Sequence, residues 1–95
     1  MKLEFVTPNG ILFSGEVRSV VLPAFDGYMG VLPGHIPYVA LLKRGILTLT
    51  SDYGIESFQI ETGFAKIEND HVVVLAESIG KVPVTPELPI VYNPT

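Results

Sequence analysis

The residues able to do chemistry are few: His35 and His71, serines at 14, 19 and 78, the carboxylates of Glu4, Glu16 and Asp26, and three crowded glycines, Gly27, Gly30 and Gly34. A metal site needs ligands at recurring short spacings. The two histidines form no H-x-H or H-x-x-x-H pair, and there is no cysteine to complete a set. His71, at a turn-to-strand junction, reads as a solvent-facing turn residue. His35, between Gly34 and Pro37, reads equally as a ring that holds its own turn by a hydrogen bond and as a partner contact. The glycines suggest a phosphate loop, but no Lys-Ser/Thr follows, and Pro33 and Pro37 forbid the helix whose amides would hold an anion. None of the serines sits in G-x-S-x-G. Asp26 with Glu4 or Glu16 reads as solvated turn acids rather than as an acid/base pair. No catalytic residue, no metal and no cofactor is therefore expected.

The elements that must carry these residues are strands. Apolar residues recur with a period near two, and turn signals arrive every eight to twelve residues, the pattern of short antiparallel strands. "KLEFV" alternates Leu3 and Phe5 against Lys2 and Glu4, and "TPNG" turns the chain. "ILFSGEVRSVVLP" provides two strand segments, with a bulge or bend expected at Gly15. "GILTLTSDYGIESFQIE" reads as a hairpin with Leu47, Leu49, Phe58 and Ile60 on the core side and "SDYG" as its turn. "GFAKIENDHVVVLAE" reads as a second hairpin, turning at "ENDH", with Ala65 and Ile67 opposed to Phe64, Lys66 and Glu68. Val72 to Leu75 is apolar on both faces and so belongs in a strand that is central or packed between layers.

Before these two hairpins lies "GYMGVLPGHIPYVALL", which reads as an arched irregular segment. Tyr28, Met29, Val31 and Leu32 cannot all face a core from it, so some are expected in an exposed patch of the kind that marks partner surfaces. The fold expected is all-β: a flattened sandwich or barrel of about ten short antiparallel strands. It should occupy residues 1–81. Residues 82–95, "VPVTPELPIVYNPT", form a Pro-rich, non-helical, extended tail, in which "PIVY" is expected along a sheet edge.

At 95 residues the chain supports one domain with a modest core. It is 47% hydrophobic and only 17% charged, more apolar than small soluble domains usually are, which points to surface that meets a partner. Its net charge of -4 and scattered basic residues exclude a nucleic-acid surface. No apolar run approaches the ~20 residues that cross a bilayer, and "MKLEFVTPNG" lacks a signal-peptide core, so the chain reads as intracellular and not membrane-inserted.

The order of these signals resembles a known family. "LFSGEV", "DGYMGVLPGHIP", L-x-x-G-x-L from Leu42 to Leu47, "GFA" and "VLAE" together are similar to the epsilon subunit of the rotary F-type ATP synthase (delta in mitochondrial naming), over about residues 3–79. The resemblance implies a flattened ten-stranded β-sandwich and a non-catalytic central-stalk role. It implies that the chain links gamma to the c-ring for proton- or sodium-driven ATP synthesis, peripherally on the cytoplasmic side of the energy-transducing membrane, touching the membrane only through the complex. It also implies contacts to the c-ring polar loops from Asp26, Gly27, Tyr28 and Met29, and to gamma from Thr7, His35, Ile36, Pro37 and Tyr38. Some relatives carry a carboxylate where this chain has Tyr28, so Asp26 and an aromatic contact would replace it. Many relatives continue into an inhibitory helical hairpin, which the proline-spaced tail is not expected to form; coupling without inhibition or ATP sensing is then expected. The alternative is a free-standing sandwich that binds a peptide or carbohydrate.

Overall fold

The computed structural model describes residues 1–77 and 79–84, and within them the chain is all β, with ten strands and no helix. In chain order these are β1 (Lys2–Thr7), β2 (Gly10–Glu16), β3 (Ser19–Ala24), β4 (Gly27–Val31), β5 (Tyr38–Leu42), β6 (Gly45–Ser51), β7 (Gly54–Ile60), β8 (Gly63–Glu68), β9 (His71–Ala76) and β10 (Ile79–Val82). They form one continuous sheet in the order β10-β7-β6-β3-β5-β8-β9-β1-β2, with β4 added to β3. The sheet folds over on itself into a nearly closed, barrel-like sandwich.

Alternation determines which face of each strand is buried. In β5, β8, β9 and β1, the residues Ala40, Ala65, Val74 and Phe5 stand directly opposite one another, and all four are buried. The row carries its bulk at Phe5 and Val74 and small side chains at Ala65 and Ala40. The other half contributes Leu47 and Leu49 of β6, Phe58 and Ile60 of β7, and Val20 and Leu22 of β3. Phe5 meets Phe58 edge to face, with centroids 4.8 Å apart at 79°. Phe13 of β2 completes the cluster at 5.2 Å from Phe5 and 6.2 Å from Phe58. Because β7 and β2 lie at or next to opposite ends of the strand order, this aromatic contact closes the sandwich.

The corner between the two halves is β3. Its first residues pair with β6, whereas Ala24 pairs with Leu42 of β5. Pro23 sits at the changeover; it has no N–H to give, and its carbonyl accepts from the Lys43 N–H at 2.9 Å.

Three features differ from the sequence expectation. First, β1 pairs with β9 in parallel, and every other pairing is antiparallel. Hairpins force antiparallel neighbours, but strands brought together from distant parts of the chain carry no such constraint. Second, the bulge expected at Gly15 lies instead at Leu12: Phe5 pairs with Phe13 and Val6 with Ile11, while Gly15 pairs regularly with Leu3. Gly15 lies under the Phe13 ring, where a Cβ would stand 3.4 Å from it. Third, Gly27 to Val31 is a regular strand rather than part of an arched segment, hairpinned onto β3. The φ of +128° at Gly27 starts it after the turn, and alternation then sends Met29 and Val31 inward. The expected placement of "PIVY" and of Ser78 falls outside the described residues.

Gly63 is the most crowded of the glycines, because a Cβ there would stand 2.1 Å from the Leu75 carbonyl oxygen and 2.9 Å from Ala76 Cα. Neither backbone atom can swing aside. Gly63→Ala should therefore destabilise the domain by about 3 kcal/mol, lowering a thermal midpoint by 10 °C or more. Gly80→Ala, with nothing within 4 Å of its added Cβ, should stay within about 0.5 kcal/mol. Paired melts followed by circular dichroism check both.

Candidate functional site

Two segments on either side of Leu32 face each other across one surface groove of about 340 Å³. The β3–β4 turn and the start of β4 supply Asp26, Gly27, Tyr28 and Met29; the following loop and the start of β5 supply His35, Ile36 and Tyr38. The residues expected to touch two different partners thus line a single groove, with Pro37 exposed beside it. Thr7 lies elsewhere, in a hollow with Val6, Gly63 and Leu75, towards the far end of β8 and β9 from Tyr38. There Thr7 holds its own turn: its hydroxyl donates to the Gly10 carbonyl and accepts from the Asn9 N–H, both at 3.2 Å.

The loop between β4 and β5 has a readable origin. "LPGH" carries Pro33 at the second position, Gly34 with φ +87° at the third, and a hydrogen bond of 3.1 Å from the His35 N–H to the Leu32 carbonyl, the signature of a type II turn. His35 Nδ1 donates to the Ile36 carbonyl at 2.7 Å, which fixes Nδ1 as the protonated nitrogen of that bond, because a carbonyl can only accept. The histidine thus holds its own loop while still lining the groove. Leu32 is exposed, whereas Val31 just before it is fully buried.

Tyr28 is half exposed, and its hydroxyl accepts from the Ile46 N–H at 3.3 Å. Gly45 allows this approach: a Cβ there would stand 2.8 Å from Pro23 Cβ and 3.2 Å from the Tyr28 hydroxyl. The ring therefore spans from β4 to the start of β6. Asp26 is exposed on the turn and makes no ion pair among the described residues.

A second apolar surface adjoins the groove. Val39 and Leu41 of β5 and Phe64 of β8 point outward, 62%, 63% and 43% exposed, with Leu41 directly opposite Phe64. Phe25, also exposed, follows β3 and gives its N–H to the Leu41 carbonyl. The sequence reading passed over this strip, although the alternation of "YVALL" against buried Ala40 and Leu42 carried the signal. His71, read as a bland turn residue, is half-buried and donates from Nε2 to Glu4 Oε1 at 2.8 Å across the parallel pair β1–β9. Among the described residues no three His, Asp or Glu side chains gather as a metal site, and no helix is long and apolar enough to cross a membrane.

Fold and site together define a β-sandwich module that presents contact surfaces. Residues 1–82 match the family described as ATP synthase, Delta/Epsilon chain, beta-sandwich domain. The ATP synthase epsilon chain of Chlorobium limicola is 43% identical over 79 residues, covering 82% of this chain and 90% of that one. The epsilon chain of Campylobacter jejuni subsp. doylei is 44% identical over 78 residues, 81% of this chain but 60% of that longer relative. A chain of the mitochondrial ATP synthase of Euglena gracilis, solved as OSCP/F1/c-ring, superposes with a TM-score of 0.77 at 26% identity, over 83% of this chain and 51% of that one. A Tetrahymena thermophila central stalk/c-ring chain shares the fold, with a TM-score of 0.73 at 9% identity, over 83% of this chain and 64% of its own length. The chain belongs to this family, that of the epsilon subunits of the ATP synthase central stalk, which are structural and regulatory rather than catalytic.

The Tyr28 tether can be measured apart from any partner. Tyr28→Phe removes the acceptor for the Ile46 N–H and leaves the ring in place. At a half-exposed site it should lower the thermal midpoint by about 3–6 °C without changing the spectrum of the folded state. Scanning calorimetry of the two proteins checks this.

Proposed function

We propose that this chain joins gamma to the c-ring in the rotor of an F-type ATP synthase, carrying torque in proton- or sodium-driven ATP synthesis. Asp26, Gly27, Tyr28 and Met29 meet the polar loops of the ring, and His35, Ile36, Pro37 and Tyr38 meet gamma, with Thr7 at a separate gamma contact. The observation that carries the reading is the groove, in which both sets of residues are held by a rigid hairpin and a fixed type II turn. Ile36, 70% exposed beside Tyr38, has the form of an anchor that fills a partner's pocket. The exposed Asp26 carboxylate suits a basic group on the ring. The complex sits on the cytoplasmic side of the energy-transducing membrane, which this chain approaches only through its partners.

A close-packed sandwich fits the role mechanically. Torque passes through a body whose core has no continuous way to rearrange, and packing at interior density resists shear.

Co-expression with gamma should yield a stable complex for the native chain. Ile36→Asp buries a charge in the gamma contact and should weaken that complex at least about tenfold, with a thermal midpoint unchanged within about 2 °C, because the side chain holds nothing within the domain. Asp26→Lys should leave gamma binding intact and lower ATP-driven proton pumping in reconstituted vesicles. Native-strength gamma binding by Ile36→Asp would count against the assignment of that edge.

A further inference from the structure

We propose that Asp70, in the β8–β9 turn, is a positioning residue that holds the loop between β4 and β5 in its docking conformation; the proposal rests on the reading of the groove given above. Asn69 and Asp70 form the two-residue turn between Glu68 and His71, which are paired, and both have left-handed φ, +52° and +57°. This is the geometry of a type I′ hairpin turn, in which the second position is ordinarily glycine because glycine takes positive φ without strain. Asp70 bears a Cβ there against that preference, so a side-chain role is indicated.

The side chain has one visible task. The Gly34 N–H donates to Asp70 Oδ1 at 2.8 Å, across 36 residues of sequence. Gly34 is the left-handed residue of the type II turn that leads into His35 and Ile36. Its amide is therefore an anchor point on the turn that leads into the groove. Asp70 is itself held in place, because its carbonyl accepts from the Lys2 N–H of β1 at 2.9 Å. No cation lies within ion-pair distance of its carboxylate among the described residues, so the Gly34 amide has no charged competitor there. The chain of contacts runs from β1 through Asp70 to Gly34 and so to His35 and Ile36 at the groove. Without it, the hydrogen bonds that remain to the loop among the described residues are its own turn bond and the His35 ring bond.

Two substitutions separate the side chain from the turn and from its charge. Asp70→Gly keeps the left-handed turn, relieves its strain and removes the acceptor. Asp70→Asn keeps both the turn and Oδ1 but removes the charge. Amide exchange at Gly34 should rise about tenfold in Asp70→Gly and stay near native in Asp70→Asn, while β1 and β9 amides remain protected in both. Affinity for co-expressed gamma should fall about five- to tenfold in Asp70→Gly and within about twofold of native in Asp70→Asn, at unchanged thermal midpoints. Faster Gly34 exchange with undiminished gamma affinity would overturn the proposal, as would unchanged exchange. Equal loss in Asp70→Asn would also overturn it, by making the charge rather than the acceptor the active feature. Failure of the native chain itself to bind gamma would overturn the groove reading and this proposal with it, and the native arm of the same titration identifies that case.

Discussion

The contact between Phe5, Phe13 and Phe58 is the constraint on which the rest of the molecule depends. A single ten-stranded sheet has two ends, and each would expose backbone and one apolar face unless the sheet curled over. The three rings bring strands from opposite ends together. Curling also needs a corner, which β3 provides by passing from β6 to β5 around Pro23. With the interior closed, the remaining surface is free to be specific.

That surface is assembled from segments tied to the sheet by backbone pairing and hydrogen bonds. β4 is pinned to β3 along its whole length, and its Tyr28 hydroxyl reaches the Ile46 amide. The β4–β5 loop is built on a type II turn and tied to the β8–β9 turn through Asp70. Polar groups orient their neighbours: His35 at the groove, and Thr7 and His71 away from it, each spend a donor on a neighbouring acceptor. The surface ion pairs, such as Arg18–Asp52 at 2.7 Å with both side chains exposed, contribute at most about 1 kcal/mol each and do not decide the fold. Rigidity of this kind lowers the ordering cost of docking and suits a part of a rotor.

Much of this was legible beforehand, and the reasons are local. The hairpins at Gly45–Glu61 and Gly63–Glu77 could be read because alternation and turn chemistry act between neighbours: Leu47, Leu49, Phe58 and Ile60 are all buried as their spacing required. β4 was not legible as a strand, because glycines and a following Pro-Gly turn mask a five-residue alternation in which only Met29 and Val31 turn inward. Glycine commonly marks a bulge, which points to Gly15, whereas the register against β1 puts the extra residue at Leu12. The outward strip of Val39, Leu41 and Phe64 needed the pairing of β5 with β8 before it became one surface.

The amino-acid sequence by itself determined the all-β class, the turn at Leu32–His35, the inward faces of most strands and, through its recurring motifs, the family. Each of these rests on steric preferences or periodicities that span only a few residues. Tertiary structure alone decided that β1 lies parallel to β9, that the sheet closes through three phenylalanines, that Thr7 stands apart from the groove, and that Asp70 reaches Gly34. Those facts join residues far apart along the chain. Loop closure leaves such pairings open until the whole core forms, and the packing that satisfies every buried face at once then selects among them.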